Sequence, residues 1–271
     1  MFIRAISQMK RKHMSIPMAL NDRQEQILEL LRAEDRVDVD DLSNRFSVTT
    51  QTVRRDLTEL CERGLATRTH GGARKLVSAS SFGYEERRLR NSGAKEALAA
   101  IAAELIPDGA SVILNIGTTT EQVAAALATH EDLTVITNNI NVIHILRGAR
   151  LNSLVIAGGS VRQSDGAVVG AEAVEFIQRF KADYAVIGTS SLDDDGAILD
   201  FDEREVAVAR AILQNARTKI LVADASKFER NAPVRICDVA DLDYVITDKR
   251  PPESFAKAAE AGGTKLISLE D

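Results

Sequence analysis

Residues 48–73 read VTTQTVRRDLTELCERGLATRTHGGA, and this stretch decides how the first part of the chain folds. Val53, Leu57 and Leu60 recur at the spacing that places apolar side chains on one face of a helix. A guanidinium donates two hydrogen bonds to guanine, and a carboxamide pairs in the same way with adenine. The opposite helix face is therefore suited to the major groove of DNA, because it carries Gln51, Arg54, Arg55 and Thr58.

The residues on either side of this helix predict a winged helix-turn-helix. Asn21 or Asp22 is placed to cap a first helix, and a short second helix carries Leu42 and Phe46 before the pattern breaks. After the base-reading helix, residues 65–73 predict two short strands joined by a glycine turn. A three-helix packing module with a solvated basic face is the alternative interpretation.

The quoted stretch resembles the signature of the DeoR family of bacterial repressors, and especially its glycerol-3-phosphate regulon repressors. The resemblance continues through NIGTTTEQVAAAL, VITNNINV, IAGGSVRQSDGAVVG, AILDFDEREV and DASKFERNAPV, and it covers nearly the whole chain from about residue 21. It implies a repressor that binds double-stranded operator DNA, with residues 68–73 in the wing. The DNA contacts expected from the helix and the wing are Thr49, Thr50, Gln51, Thr52, Arg54, Arg55, Thr58, Arg68, His70 and Gly71.

The remainder of the chain predicts a linker and a second, α/β domain. Residues 77–93 are rich in serine and charge and are expected to link residues 21–76, the DNA-binding domain, to residues 94–271. Short apolar runs separated by segments long enough for helices are typical of buried parallel strands. These runs predict an open, mostly parallel sheet, and they occupy residues 111–116, 133–136, 154–157, 184–187, 219–223 and 244–247.

Small and hydroxyl-bearing residues follow four of the predicted strands. Gly117 precedes three threonines that open a helix, so backbone N–H groups, hydroxyls and the positive helix end would converge on a phosphate. Because parallel strands end at one edge of a sheet, we expect the four loops to form one anion site. Tight turns without a ligand are the alternative. The usual glycine-rich loops of dinucleotide and nucleoside-triphosphate sites do not occur, which favours a small phosphate ester.

The DeoR sensor domain is similar in fold to sugar-phosphate isomerases, which implies a pocket for glycerol 3-phosphate or a similar ester and no cofactor. Asn115 stands where the family usually has Asp, a difference that bears on which ester is preferred. Three acidic residues, Asp200, Asp202 and Glu203, are expected near polyol hydroxyls. The whole expected ligand set is Gly117, Thr118, Thr119, Thr120, Asn138, Asn139, Gly158, Gly159, Arg162, Gly188, Asp200, Asp202, Glu203, Asp224 and Lys227.

Three alternative functions compete with that of an effector-controlled repressor. A phosphosugar isomerase needs a base and an electrophile for the enediolate, but residues 192–205 contain neither Lys nor His, and Arg204 is their only cation. A ligand-dependent activator of the same family stays open at this point. A second domain that only assembles oligomers is disfavoured by the polar strand ends.

The charge distribution agrees with a DNA-binding front end. The net charge is −6, but residues 1–76 carry 14 basic and 11 acidic side chains, whereas residues 77–271 carry 20 and 29. No apolar run of membrane-spanning length occurs, so a cytoplasmic protein without membrane contact is expected. Residues 1–20 are interpreted as a disordered lead-in or an overlong start.

Assembly and metal content are predicted from general rules. Cys61 and Cys237 lie far apart, and no pair of histidines has helical spacing, so no metal site is expected.

One reading helix covers half of an operator site, and paired half-sites call for two-fold symmetry. A homo-oligomer, either a dimer or a tetramer, is therefore predicted.

Overall fold

The computed structural model describes two compact units that meet in sequence between residues 76 and 77. The predictions for residues 1–19 and for His70 lie outside the described residues. Within the described part of the chain, no helix is both long and apolar enough to cross a membrane. The described residues are 20–34, 36–62, 65–69, 71–75 and 84–270.

The first unit is a winged helix-turn-helix, as predicted. The side chain of Asp38 caps its second helix by accepting a hydrogen bond from the backbone N–H of Asp40 at 3.0 Å. Ser47 ends this helix in the left-handed region, with φ at 51°, and so makes the tight turn. The described elements are α1 (Asp22–Glu34), β1 (Arg36–Asp38), α2 (Val39–Phe46), α3 (Thr50–Glu62), β2 (Ala66–Thr69) and β3 (Gly72–Lys75).

The apolar faces of the three helices form the core of the first unit, with Val53, Leu57 and Leu60 of α3 fully buried. Strand β1 was not predicted, and it pairs with β3 beside the β2–β3 wing. A Cβ atom on Gly72 would lie 2.0 Å from the carbonyl oxygen of Val37. Glycine is therefore required where these two strands meet.

The second unit alternates strands and helices. Its described helices are α4 (Tyr84–Leu89), α5 (Ser92–Glu104), α6 (Thr118–Leu127), α7 (Ile140–Leu146), α8 (Ala171–Ile177), α9 (Glu203–Gln214) and α10 (Glu253–Gly262). Its described strands are β4 (Ser111–Leu114), β5 (Leu133–Thr137), β6 (Leu151–Ile156), β7 (Ser160–Arg162), β8 (Ala167–Val169), β9 (Ala182–Ile187), β10 (Ser191–Leu192), β11 (Ala197–Asp200), β12 (Ala216–Ala223), β13 (Val234–Asp238), β14 (Tyr244–Thr247) and β15 (Lys265–Ser268). Two turns of 3₁₀ helix occupy Ala225–Glu229 and Val239–Asp241.

Seven of these strands form a parallel sheet in the order β15-β14-β12-β9-β4-β5-β6, which confirms the predicted mostly parallel fold. Six of the strands overlap the predicted apolar runs. The seventh, β15, was missed because its four residues, KLIS, include only two apolar side chains. Smaller antiparallel sheets join β7 with β8 and β10 with β11 and β13.

The strand order opens a crevice in the second unit. After β4 the chain proceeds to β5 and β6 on one side of the sheet, and after β9 it proceeds to β12 and β14 on the other side. Strands β4 and β9 are neighbours, so the loops that leave their carboxyl ends diverge. Sheets of this kind bind ligands at such a switch point.

The interval 77–93, predicted as a linker, contains α4 and the first residues of α5. Helix α4 has only six residues and no apolar stripe that periodicity would detect. Contacts within the second unit hold it instead. The hydroxyl of Tyr84 donates to Glu121 Oε2 at 2.6 Å, and Lys95 Nζ donates to the carbonyl oxygen of Arg87.

Candidate functional site

Helix α3 presents the polar face that the sequence predicted. The Thr49 hydroxyl, just before the helix, accepts a hydrogen bond from the backbone N–H of Thr52 at 3.3 Å and lies 2.9 Å from its hydroxyl. Arg23 of α1 pairs with the buried Asp56 at 2.6 Å and fixes the back of α3. The outward side chains are exposed or half-buried, and they are Thr49, Thr50, Gln51, Thr52, Arg54, Arg55 and Thr58.

The two arginines of α3 differ in their surroundings. Arg55 Nε lies 3.3 Å from Glu59 Oε1 in an exposed pair, which is weak in water. Arg54 is exposed, and its carbonyl oxygen accepts from the Thr58 hydroxyl at 2.7 Å. In the wing, Arg68 is exposed and Gly71 turns the chain with φ at +88°. This surface combines a protruding helix with a basic wing.

We expect Arg54→Ala or Arg55→Ala to weaken operator binding by about 1 to 3 kcal/mol, because each guanidinium is placed to donate two hydrogen bonds to a guanine. Affinity for operator and for a scrambled duplex is measured at several salt concentrations by fluorescence anisotropy. Arg150→Ala, which removes a surface charge in the second unit, is the matched control. Unchanged operator affinity in both α3 variants would place this helix outside the groove.

A crevice that is partly open to solvent lies at the carboxyl ends of β4, β9 and β12, and its cavity volume is about 50 Å³. Its lining comes from the loops after these three strands, from the segment between β11 and α9, and from the start of the second unit. The residues are Arg87, Arg90, Asn91, Lys95, Ile116, Gly117, Thr118, Thr119, Gly188, Thr189, Ser190, Asp200, Phe201, Glu205, Asp224, Ser226, Lys227 and Arg230.

The start of α6 forms the floor of the crevice. Gly117 precedes the helix with φ at 142°, a conformation that L side chains rarely adopt. The Thr120 hydroxyl donates to the carbonyl oxygens of Asn115 and Gly117 at 2.8 and 2.7 Å and so fixes the loop. The first N–H groups of a helix have no acceptors within it and are directed outward. With Thr118 and Thr119 in the lining, this helix start is suited to bind an anion.

Five basic side chains surround this helix start, namely Arg87, Arg90, Lys95, Lys227 and Arg230. The sequence prediction included only Lys227. Arg87 lies in α4, Arg90 directly follows that helix, and Lys95 lies in α5. No sequence motif marks these three residues, although residues 85–90 are visibly rich in charge. Arg230 lies three residues beyond Lys227 in a quoted motif, and that spacing is a signal that would have found it.

The crowding of these cations changes their acid-base behaviour. Burial, helped by Arg230, lowers the pKa of Lys227 to about 8, although Asp224 opposes the shift. Burial also lowers the pKa of Lys95, which donates to the Thr118 hydroxyl at 3.0 Å. The Nε of Arg87 is buried without a hydrogen-bond partner among the described residues. An anion in the crevice would relieve both the repulsion and the desolvation.

Carboxylates also line the crevice, and they continue into an adjacent cavity. Burial and the neighbouring Asp200 raise the pKa of Glu205 to about 7, against the opposing effect of Arg162. Arg162 lies in the adjacent cavity, where its guanidinium contacts Asp165 at 2.7 Å, Asp202 at 3.0 Å and Glu205 at 2.6 Å. The structure therefore places Arg162 as the anchor of three carboxylates.

The structure brings some of the predicted ligand residues together and separates others. Among the described residues, the crevice lining includes Gly117, Thr118, Thr119, Gly188, Asp200, Asp224 and Lys227. The adjacent cavity includes Arg162, Asp202 and Glu203. The predicted residues that are in neither of these linings are Thr120, Asn138, Asn139, Gly158 and Gly159.

The separated residues have a topological explanation. Asn138 and Asn139 follow β5, and Gly158 and Gly159 follow β6, so both loops lie beyond β4 from the crevice. Asn138 Nδ2 donates to the carbonyl oxygen of Val168 at 3.2 Å, and Asn139 Nδ2 donates to Glu121 Oε1 at 3.0 Å. These bonds brace the loops.

Two further features bear on the predicted site. Asn115, the departure from the family pattern, is buried, and its Oδ1 has no hydrogen-bond partner within the described part of the chain. Across the same residues, no group of three or more His, Cys, Asp or Glu side chains could hold a metal ion.

A helix-turn-helix with an exposed, arginine-bearing helix in one unit and a basic crevice in the other are the features expected of a ligand-responsive transcription factor. Residues 23–79 match the model of the DeoR-like helix-turn-helix domain, and residues 90–249 match the DeoR C terminal sensor domain. The chain belongs to the DeoR family and is a DeoR-type transcriptional repressor rather than an enzyme.

Relatives that match most of the chain carry repressor names. The glycerol-3-phosphate regulon repressor of Escherichia coli is 40% identical over 237 residues, which cover 88% of this chain and 94% of that one. Its namesake from Haemophilus influenzae is 41% identical, covering 90% and 95%. The HTH-type transcriptional repressor CsqR of Escherichia coli is 36% identical, covering 91% and 95%.

Solved structures are more distant. The tetrameric eIF2B-beta2-delta2 complex from C. thermophilum contains a chain with a TM-score of 0.44 and 12% identity, covering 89% of this chain and 87% of that one. A D-ribose-5-phosphate isomerase in complex with phospho-erythronic acid gives a TM-score of 0.36 at 18% identity, covering 49% and 52%.

Anion binding in the crevice should weaken as pH rises through about 8. Lys227 is protonated below its pKa and binds the anion, whereas deprotonation above that value removes one charge and weakens binding by up to about tenfold per pH unit. The pKa of Lys227 also depends on four neighbouring charged residues, which are left unchanged in every protein tested, namely Arg230, Asp224, Lys95 and Asp200. Sulfate, whose charge is constant in this range, is titrated calorimetrically between pH 6.5 and 9.5.

The control for this pH experiment is Lys227→Arg, which keeps its charge throughout the range and should bind sulfate with a flatter profile. Equal slopes for the two proteins would show that Lys227 is not the titrating group.

Proposed function

We propose that this repressor binds operator DNA through α3 and the β2–β3 wing and that a small phosphate monoester in the crevice releases it. Glycerol 3-phosphate or a close relative is the proposed effector. The observation that carries the proposal is the start of α6, with Gly117, Thr118 and Thr119, facing five basic side chains at the sheet's switch point. The names of the relatives from Escherichia coli and Haemophilus influenzae support the choice of ester.

The charges of the crevice fit a phosphate monoester. Five basic and three acidic side chains line it, so its lining has two more basic than acidic groups. A phosphate monoester carries between one and a half and two negative charges near neutral pH. Asp200 and Glu205 belong to the same lining, where they would accept hydrogen bonds from the hydroxyl groups of a polyol.

We propose α4 as the element through which the effector acts on the DNA-binding unit. The carbonyl oxygen of Arg87 accepts hydrogen bonds from Lys95 Nζ and from the Thr118 hydroxyl, the latter at 3.5 Å. A bound phosphate would compete for the same two donors. Because α4 is the first described helix after the DNA-binding unit, a change in its position would pass directly along the chain.

The repressor is also proposed to act as a homo-oligomer. One α3 helix reads one half-site, and a two-fold symmetric operator requires two copies. The effector is proposed to change the geometry between the paired helices. A coupling free energy of about 1.4 kcal/mol between effector binding and DNA binding is enough to weaken operator affinity tenfold.

Glycerol 3-phosphate should release the wild-type protein from operator DNA, and unphosphorylated glycerol should not, because only the ester can bind at the start of α6. Lys227→Gln should bind operator normally and require at least about tenfold more effector, since it loses a charge-assisted contact. Operator binding is followed by fluorescence anisotropy. The exposed Lys257→Gln serves as the matched control and should respond like the wild type.

If no phosphorylated polyol releases the wild-type protein, the proposed effector class is wrong. If Lys227→Gln and the wild type are released from operator DNA at the same effector concentration, Lys227 does not contact the effector.

The role of α4 is tested with Tyr84→Phe, which removes the 2.6 Å hydrogen bond to Glu121 of α6. We expect the variant to bind effector with an affinity close to that of the wild type, because Tyr84 does not belong to the crevice lining among the described residues. The ratio of operator affinities without and with effector should fall toward one. Effector binding is measured by calorimetry and operator binding by anisotropy.

Tyr244→Phe, at the opposite end of the sheet strands, is the control for loss of a tyrosine hydroxyl. A ratio in Tyr84→Phe as large as that of the wild type would show that the Tyr84–Glu121 bond carries no coupling.

A further inference from the structure

The crevice and the adjacent cavity share one wall. Arg87, Ser190, Asp200, Phe201 and Glu205 line both of them. A phosphate ester bound at the start of α6 would share the crevice with Asp200 and Glu205, and the adjacent cavity lies against the same two residues. The chemistry of this second compartment decides which esters fit.

The adjacent cavity has the opposite charge balance from the crevice. Three basic side chains line it, namely Arg87, Arg162 and Arg204, against five acidic ones, namely Asp165, Asp200, Asp202, Glu203 and Glu205. In the crevice the numbers are five basic and three acidic. One end of the combined site is thus basic, and the other is acidic.

The cations of the acidic end already have carboxylate partners. Arg162 is 23% exposed and contacts Asp165, Asp202 and Glu205, and Arg87 contacts Asp165 at 3.2 Å. Arg204 lies 3.2 Å from Asp202. A second anionic group on the ligand would have to displace one of these carboxylates before it could gain a cation.

Asp200 and Glu205 are the carboxylates that line both the crevice and the adjacent cavity. Asp200 is 4% exposed, and one of its oxygens accepts from the backbone N–H of Phe201 at 2.7 Å. Burial raises the pKa of both carboxyl groups, and Glu205 reaches about 7. Carboxylates that already repel each other bind hydroxyl donors readily and oppose a further negative charge.

We propose that Asp200 and Glu205 form a specificity filter that admits phosphate monoesters with an uncharged, hydroxyl-bearing tail and rejects those whose tail ends in a carboxylate or a second phosphate. This inference rests on the proposed function, since it assumes that the phosphate binds at the start of α6. Specificity is the difference between the affinities for two ligands. A group that repels the wrong ligand produces this difference as effectively as a group that attracts the right one. The filter separates a polyol phosphate from its own oxidation product.

The test compares esters in matched pairs that differ only by oxidation of the tail to a carboxylic acid. The pairs are glycerol 3-phosphate with 3-phosphoglycerate of the same configuration, and glucitol 6-phosphate with 6-phosphogluconate. Dissociation constants for the full chain are measured calorimetrically at pH 7.5. In the wild type we expect the ester with the uncharged tail to bind at least about tenfold more tightly than the acid of the same pair. The reason is that the carboxylate of the acid is repelled by Asp200 and Glu205, and such repulsion is strong in a partly buried site.

Two variants locate the filter. Asp200→Asn and Glu205→Gln should each reduce the preference for the neutral tail severalfold, mainly through tighter binding of the acid. In Glu205→Gln the guanidinium of Arg162 also loses one of its three carboxylate partners and becomes available to the acid. Glu253→Gln, an exposed carboxylate of α10, is the matched control and should keep the wild-type preference. Operator binding and circular dichroism verify that each variant is folded, and either variant alone tests the filter.

The failure of the filter is distinguishable from the failure of the proposed function. If acid and neutral esters bind the wild type equally, or if both variants keep its preference, the filter is wrong while the phosphate site stands. If neither esters nor inorganic phosphate bind at all, the proposed function is wrong and the filter falls with it.

Discussion

Strands β4 and β9 hydrogen-bond to each other side by side, yet the chain leaves them toward opposite edges of the sheet. Loops that diverge in this way cannot cover the strand ends, so a crevice remains there with free backbone groups on its walls. Gly117 and Gly188 follow these two strands and line the crevice. The start of α6, the cations of α4 and α5, and the carboxylates near β11 all reach the ligand position because of this strand order.

Five basic side chains in one crevice are costly, because each cation loses solvent and repels its neighbours. Part of this cost is offset locally. Asp224 accepts from Asn91 Nδ2 at 3.1 Å and attracts Lys227, and Lys95 donates to Thr118 and to the carbonyl oxygen of Arg87. The residual positive charge is unfavourable for the unliganded fold. A sensor gains from such an arrangement, since an anion that binds the folded state relieves the repulsion and stabilises that state.

Local patterns predicted local features well. The exposed face of α3 followed from the helical spacing of Val53, Leu57 and Leu60, and Gly117 followed from the end of an apolar run. Strand order is not a local property, which is why the loops after β5 and β6 were grouped with the crevice although β4 separates them from it. Arg87 and Lys95 were missed for the same reason, because only tertiary contacts bring α4 and α5 to the start of α6. The remaining predictions for DNA and ligand contacts stay predictions until binding is measured.

The bonds that join α4 to α5 and to the start of α6 have a strength suited to a reversible switch. A hydrogen bond contributes about 0.5 to 1.5 kcal/mol net, and a bond from a charged donor contributes somewhat more. Lys95 donates to the carbonyl oxygen of Arg87, and the Thr118 hydroxyl lies 3.5 Å from the same oxygen, so the free energy of displacing them is of the same order as the approximately 1.4 kcal/mol that a tenfold change in operator affinity requires. A much stronger contact, such as the three-carboxylate cluster around Arg162, would resist displacement by a metabolite. The weaker bonds therefore lie where the effector is proposed to bind, and the stronger ones hold the far end of the site.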